Sequence, residues 1–171
     1  CYSAPMPPKP APNPAPKSDD LINAVPVTEN DPATATSGMR FTDVSTGQPG
    51  ALWLTGNLGL YKFDKTNETF TVFRLEKNSP NKDQPNPGET TALNVVSLYL
   101  DKEGVLWLGA DGTDGIYKFD LKTQKITAHY SNDPANPDSY ATGPTWAIME
   151  DGSGLLWFGS VLTGINVLDR R

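Results

Sequence analysis

The tripeptides Leu52-Trp53-Leu54, Leu106-Trp107-Leu108 and Leu156-Trp157-Phe158 recur at intervals of 54 and 50 residues. A second block follows each of them. Gly59-Leu60-Tyr61-Lys62-Phe63-Asp64 matches Gly115-Ile116-Tyr117-Lys118-Phe119-Asp120, and Gly164-Ile165-Asn166-Val167-Leu168-Asp169 is a weaker third copy. Phe70-Thr71-Val72 and Ile126-Thr127-Ala128 form a third block. Asp101-Lys102-Glu103-Gly104 and Asp151-Gly152-Ser153-Gly154 mark a tight turn just before two of the Trp blocks. Ordered blocks at a period near 50 residues imply an array of equivalent units, each too small to bury its apolar face alone.

Each unit divides into short strands A to D. In the second copy they fall near Val95–Leu100, Val105–Gly109, Gly115–Phe119 and Lys125–Tyr130. The A–B and C–D connections are short and polar, as antiparallel hairpins require. In the first copy the strands fall near Met39–Val44, Ala51–Thr55, Leu60–Phe63 and Thr69–Arg74; in the third, near Thr145–Glu150, Leu155–Gly159 and Gly164–Leu168, with no D strand. The fold class is therefore all-β, with four-stranded antiparallel blades of a β-propeller. About three blades are present, at 38–75, 94–131 and 144–169 within a domain spanning 38–171. Propellers typically close with four to eight blades, so these three need an extension, a partner or self-association.

Residues 1–37 read differently. Seven of the fourteen residues from Ala4 to Lys17 are Pro, which fixes φ and removes the N–H donor. The run predicts an extended spacer. A short apolar run, Leu21 to Val27, contains Pro26 and suits an edge strand; one role for it is the missing outer strand of the third blade. The only cysteine is Cys1, so no internal disulfide can form. A start at Cys resembles a mature bacterial lipoprotein, with a covalent lipid on Cys1 as membrane anchor and no other cofactor. An arbitrary start or a free thiol is the competing explanation. No apolar run reaches the roughly 20 residues of a membrane-spanning helix.

The net charge of −6, with no Lys/Arg run beyond Arg170-Arg171, argues against nucleic-acid binding. No Ser/His/Asp set, metal-spaced His cluster or phosphate loop is present, so neither catalysis nor a metal site is expected. Trp53, Trp107 and Trp157 hold one place in their units and are assigned to packing between blades. Trp146 breaks the repeat, standing where Val96 stands in the second copy. Asp64 and Asp120 are expected to close the C–D turns, and His129 to align with Phe73. The D–A and B–C connections emerge on one rim, where length and variation collect. Asn57, Asp111, Asp114, Tyr140 and Trp146 are the candidate ligand-face residues.

The blocks Asp101…Gly104-Val105-Leu106-Trp107-Leu108-Gly109, Gly115-Ile116-Tyr117-Lys118-Phe119-Asp120 and Ile126-Thr127-Ala128-His129-Tyr130 resemble the repeat of the two-component regulator propeller family. The linker Asn132 to Ser139 resembles that family's connection between blades. The first copy departs from the pattern: Thr55-Gly56 replaces the Gly after Trp-Leu, and no clear Asp-x-x-Gly turn precedes it. The resemblance implies a propeller outside the cytoplasm, in a family whose members form sensor parts of receptors and often read polysaccharide fragments. Together these features give a lipid-anchored, non-catalytic propeller on the periplasmic or cell-surface side that binds protein or glycan. A structural accessory subunit of a membrane complex and a sensor-domain fragment are the alternatives.

Overall fold

A computed structural model of the chain describes residues 23–29, 41–56, 59–76, 93–112 and 115–170. Three antiparallel sheets follow one another along the sequence. The first runs β2 (Phe41–Gln48), β3 (Ala51–Gly56), β4 (Gly59–Asp64) and β5 (Thr69–Glu76). The second runs β6 (Val95–Leu100), β7 (Val105–Ala110), β8 (Ile116–Asp120) and β9 (Lys125–Tyr130). The third has three strands, β10 (Thr145–Glu150), β11 (Leu156–Ser160) and β12 (Gly164–Leu168). These are the A to D strands of successive propeller blades, and among the described residues no helix is long and apolar enough to cross a membrane.

The register confirms that the tryptophans are equivalent. Trp53 lies between Ser45 and Lys62, Trp107 between Tyr99 and Lys118, and Trp157 between Met149 and Val167. Because strand side chains alternate, every blade has a leading face carrying its Trp and a trailing face. Trp53, Leu60 and Phe73 on the first leading face join one core with Leu98, Leu106, Leu108, Tyr117 and Phe119 from the second blade. Trp107 and Ile116 on the second leading face join Leu156, Phe158 and Leu168 of the third. Both joints set an indole against a phenylalanine, but from different strands: Phe119 lies on β8 and Phe158 on β11, at register positions that are not equivalent. Trp53 meets Phe119 edge-on at 5.8 Å, and Trp107 meets Phe158 edge-on at 5.9 Å. Burying one such indole contributes a gross ~4–6 kcal/mol before entropy is subtracted.

The A strands are tied by polar contacts. Thr42 Oγ1 donates to Val95 O at 3.0 Å, Leu98 N to Asp43 Oδ2 at 3.0 Å, and Ser97 Oγ to Thr145 O at 2.7 Å. Gly109 explains the Gly after Trp-Leu. A Cβ there would stand 2.2 Å from Ser97 Oγ and 2.5 Å from Thr145 O, so only glycine lets the second and third blades close. In the first blade the same register position is Thr55, whose hydroxyl pairs with Thr42 Oγ1.

Three expectations change. First, Asn23–Glu29 forms a strand, β1, but it pairs antiparallel with β5 on the outside of the first blade, with Pro26 opposite Phe73. It does not fill the third blade, and the first sheet recruits chain that lies within the 1–37 spacer. Second, β2 extends to Gln48, because the first A–B connection is a two-residue Pro49-Gly50 hairpin rather than an Asp-x-x-Gly turn. Proline fixes the first turn position, and Gly50 takes φ 81° at the second. Third, a bulge between Lys118 and Phe119 leaves Thr127 without a register partner. It moves Tyr130, not His129, into the place of Phe73: Leu60 pairs with Phe73 and Ile116 with Tyr130.

Candidate functional site

One end of the blades is closed by charge. In the second blade Asp101 Oδ1 accepts from Glu103 N at 3.0 Å and Val105 N at 2.8 Å, and Oδ2 accepts from Trp107 Nε1 at 2.8 Å. Asp151 repeats all three bonds with Ser153 N, Leu155 N and Trp157 Nε1. The Asp-x-x-Gly turn thus positions the indole as well as the chain reversal, and its glycine takes φ 82° at Gly104 and 84° at Gly154. The indole N–H of Trp157, with the backbone donors, holds the Asp151 carboxyl below its ordinary range. Among the described residues Trp53 Nε1 has no acceptor, as expected where the aspartate is missing.

Arg170 then bridges two blades at this end. Its guanidinium donates to Asp101 Oδ2 at 2.7 Å, Glu150 Oε1 at 2.9 Å and Gly154 O at 3.1 Å. Lys102 Nζ lies 3.6 Å from Glu150 Oε1. Asp101, Glu150 and Arg170 are largely buried, so the acids here are neutralised locally rather than offered to a ligand. Nothing in residue spacing singled out Arg170; the signal was only a cation placed just after the last strand.

Asp64 and Asp120 close the C–D turns as expected. Asp64 Oδ1 accepts from Thr66 N and Asn67 N, and Asp120 Oδ1 from Lys122 N and Thr123 N. These backbone donors pull both carboxyls below their ordinary range.

The opposite end collects the D–A and B–C connections. Residues 131–144 are shaped by their own side chains: Asp133 N donates to Ser139 Oγ, Ala135 N to Asp133 Oδ1, and Asp138 N to Asn136 Oδ1. Asn132 Nδ2 reaches Tyr140 O, and Ala141 N donates to Asn166 Oδ1 at 2.8 Å. Trp146 is the bulged residue between Thr145 and Ala147 on β10, as Val96 is between Val95 and Ser97 on β6. Trp146 is 56% exposed. Val161 and Leu162, in the turn between β11 and β12, are also exposed, and Val161 N donates to Pro144 O two residues before Trp146. An aromatic and two aliphatic side chains therefore stand in water at one corner of the rim.

The other candidates divide. Asp111 is exposed on the same rim, but its carboxylate accepts from Gly112 N at 2.9 Å and Asn94 Nδ2 at 3.2 Å. Tyr140 is not a surface residue: its hydroxyl pairs with Thr145 Oγ1 and its ring meets Phe158 edge-on at 6.2 Å, so it belongs to the core. Burial raises the Tyr140 phenol above its ordinary range. Cys1, Asn57 and Asp114 lie outside the described residues. Sequence reasoning missed Val161 and Leu162, which no repeat block contains.

A crevice of about 40 Å³ lies between Ile116, Tyr130, Tyr140, Phe158 and Asn166. Asn166 takes the register position of Tyr117, and its Nδ2 has no partner among the described residues. The space fits water, whereas small-molecule pockets run to roughly 300 Å³ or more.

Comparison with known proteins places residues 91–112 in the family model described as two component regulator propeller. None of the curated proteins matches the chain. Two solved structures from B. thetaiotaomicron are similar to it. The extracellular domain assigned to the hybrid two component system BT3049 is 14% identical, with a TM-score of 0.42, over 75% of this chain and 20% of that one. The extracellular domain assigned to the hybrid two component system BT4673 is 17% identical, with a TM-score of 0.26, over 73% of this chain and 27% of that one. The chain thus spans about a fifth to a quarter of the length of these structures.

Proposed function

Because the chain carries the two component regulator propeller repeat within residues 91–112, we propose that it is a non-catalytic binding module on the extracytoplasmic side of a membrane, engaging a protein or glycan through one rim. The observation that carries this reading is the exposed group Trp146, Val161 and Leu162 at the end where the D–A and B–C connections gather. Trp146, Val161 and Leu162 are 56%, 65% and 77% exposed, and exposed apolar groups gathered at one end mark contact surfaces. Charge supports the choice of rim: the acids at the opposite end are bound by Arg170 and Lys102. A covalent lipid on Cys1, followed by the Pro-rich spacer, is the anchor we propose, and a protein partner or a second copy completes the propeller.

The test is a screen of soluble oligosaccharides and of envelope proteins, read by thermal shift and tryptophan fluorescence. A ligand that raises Tm for the native chain and not for Trp146→Ala, with both unliganded chains melting alike, supports the reading. A ligand bound equally by both overturns the rim assignment. Intact mass of the protein from its native membrane, showing diacylglycerol on Cys1, checks the anchor.

A second reading follows from the family match. The chain acts as part of the sensor region of a larger receptor, with the same rim facing the signal. Its support is the matched repeat.

A further inference from the structure

A backbone nitrogen that attacks the side chain of the aspartate before it closes a five-membered ring. Two conditions favour that attack. The carboxyl must fold back onto the following N–H, within near-attack distance. The following residue must also leave room for the ring, and glycine, without a Cβ, hinders it least. Asp111 meets both conditions. Its Oδ1 accepts from Gly112 N at 2.9 Å, and both residues are exposed in the connection after β7. A Cβ built on Gly112 would meet nothing within 4 Å. Two other aspartates each meet only one condition. Asp151 precedes Gly152, but its Oδ1 is held by Ser153 N and Leu155 N and its Oδ2 by Trp157 Nε1. Asp43 Oδ1 accepts from Val44 N at 2.8 Å, but Val44 is β-branched and stiff. Asp43 Oδ2 is also pinned across the blade joint by Leu98 N at 3.0 Å. The other tie on the Asp111 carboxylate is an exposed one, from Asn94 Nδ2 at 3.2 Å.

We propose that Asp111 is a site of spontaneous backbone modification, forming isoaspartate through a cyclic imide with Gly112. In the first step the Gly112 nitrogen bonds to Asp111 Cγ. The nitrogen gives up its proton, the protonated carboxyl gives up its hydroxyl, and the two leave as water. Water then adds to one of the two imide carbonyls. Cleavage of the Cγ–N bond restores aspartate. Cleavage between the nitrogen and the Asp111 backbone carbonyl carbon routes the chain through the side chain and frees an α-carboxylate. The reaction consumes and returns water and needs no oxidant or reductant. Its product has one more backbone atom, on the rim where the B–C and D–A connections gather. Asp111 N donates to Asn94 O at 2.9 Å, and the Asp111 carboxylate accepts from Asn94 Nδ2. The rearrangement moves that carboxylate, so it unties the β7–β8 connection from the residue just before β6. The inference stands apart from what the rim binds.

Incubation of the full 171-residue chain at physiological temperature and mildly acidic pH tests it, beside a sample held unfolded in urea. Peptide mapping, with fragmentation that separates Asp111 from Asp114, reads isoaspartate at each position. Methyl transfer by an isoaspartyl methyltransferase reads the total. In urea Asp111 and Asp151, both followed by glycine, should convert at similar rates. In the folded chain Asp111 should go on converting, with an excess over Asp151 on the order of tenfold or more, while Asp43 stays intact. Asp111→Glu needs a larger ring and should remove the signal at this position. A folded chain with no isoaspartate at Asp111, or with equal amounts at Asp111 and Asp151, overturns the proposal. Conversion at Asp114 with none at Asp111 overturns it as well.

Discussion

The A–B hairpins of the first and second blades reach the same strand geometry by different local chemistry. In the second, Asp101 gathers two backbone N–H groups, the Trp107 indole and the Arg170 guanidinium on one carboxylate. In the first, a Pro49-Gly50 turn reverses the chain without a side-chain acceptor, and Trp53 keeps the same register with no bond to its Nε1 among the described residues. Sheet register and apolar packing thus place the indole, and the aspartate adds a lock. The lock matters most where it reaches a second blade, since Arg170 ties the third blade to the turn of the second.

That contrast can be broken at its strongest point first. Asp101→Ala removes a buried acceptor and leaves Arg170 without its shortest ion pair; breaking a buried pair costs about 3–5 kcal/mol. In a chain of this size the expected loss in Tm is roughly 6–20 °C, read by calorimetry. A Tm within a degree or two of native would mean that the register alone holds the joint. Asp151→Ala removes the same three bonds without a direct bond to Arg170, so its Tm should fall less than that of Asp101→Ala. Equal losses would remove Arg170 from the account.

A finer comparison uses the tryptophans. Trp107→Phe and Trp53→Phe lose similar volume, but only the first strips a donor from a buried carboxylate. The expected excess loss at Trp107 is about 1 kcal/mol in urea unfolding. Trp53→Phe proving the more damaging would show that its indole has a partner elsewhere.

The smallest expected effect is on pH dependence. Asp64 and Asp120 have lowered pKa values in the folded chain. Their contribution is complete above the unfolded value of about 3.9 and is lost as pH falls through the lower folded values. Asn at both positions keeps one acceptor oxygen but no titration. The doubly substituted chain should therefore lose less Tm than the native chain between about pH 5 and pH 2.5. Parallel Tm curves would place the acid sensitivity elsewhere.

Much of this organisation is legible in the residues, and the limits have physical reasons. The tryptophan register, the Asp-x-x-Gly turns and the Asp64 and Asp120 caps are local, spanning a hairpin or less, so residue spacing carries them. The absence of the aspartate before Trp53 correctly marked the odd hairpin. The pairing of Asn23–Glu29 with β5 was misplaced because the Pro26 segment suits the edge of either blade. His129 was misaligned because a one-residue bulge leaves the pattern of apolar and polar residues almost unchanged while flipping every following side chain. Tyr140 read as a rim residue because the linker around it is polar; its burial depends on Thr145 and Phe158, which only the folded joint brings near. Arg170 and the Val161-Leu162 corner depend on contacts between blades that no single repeat encodes.

The account stands on stacking: the leading indoles Trp53 and Trp107 pack into the trailing face of the blade that follows. Nuclear Overhauser measurements on a chain with labelled Trp and Phe rings test this directly. They should connect Trp53 with Phe119 and Trp107 with Phe158, and give no connection between Trp53 and Phe158. A folded chain in which both indoles lack these cross-peaks, or contact only residues of their own sheets, would contradict it.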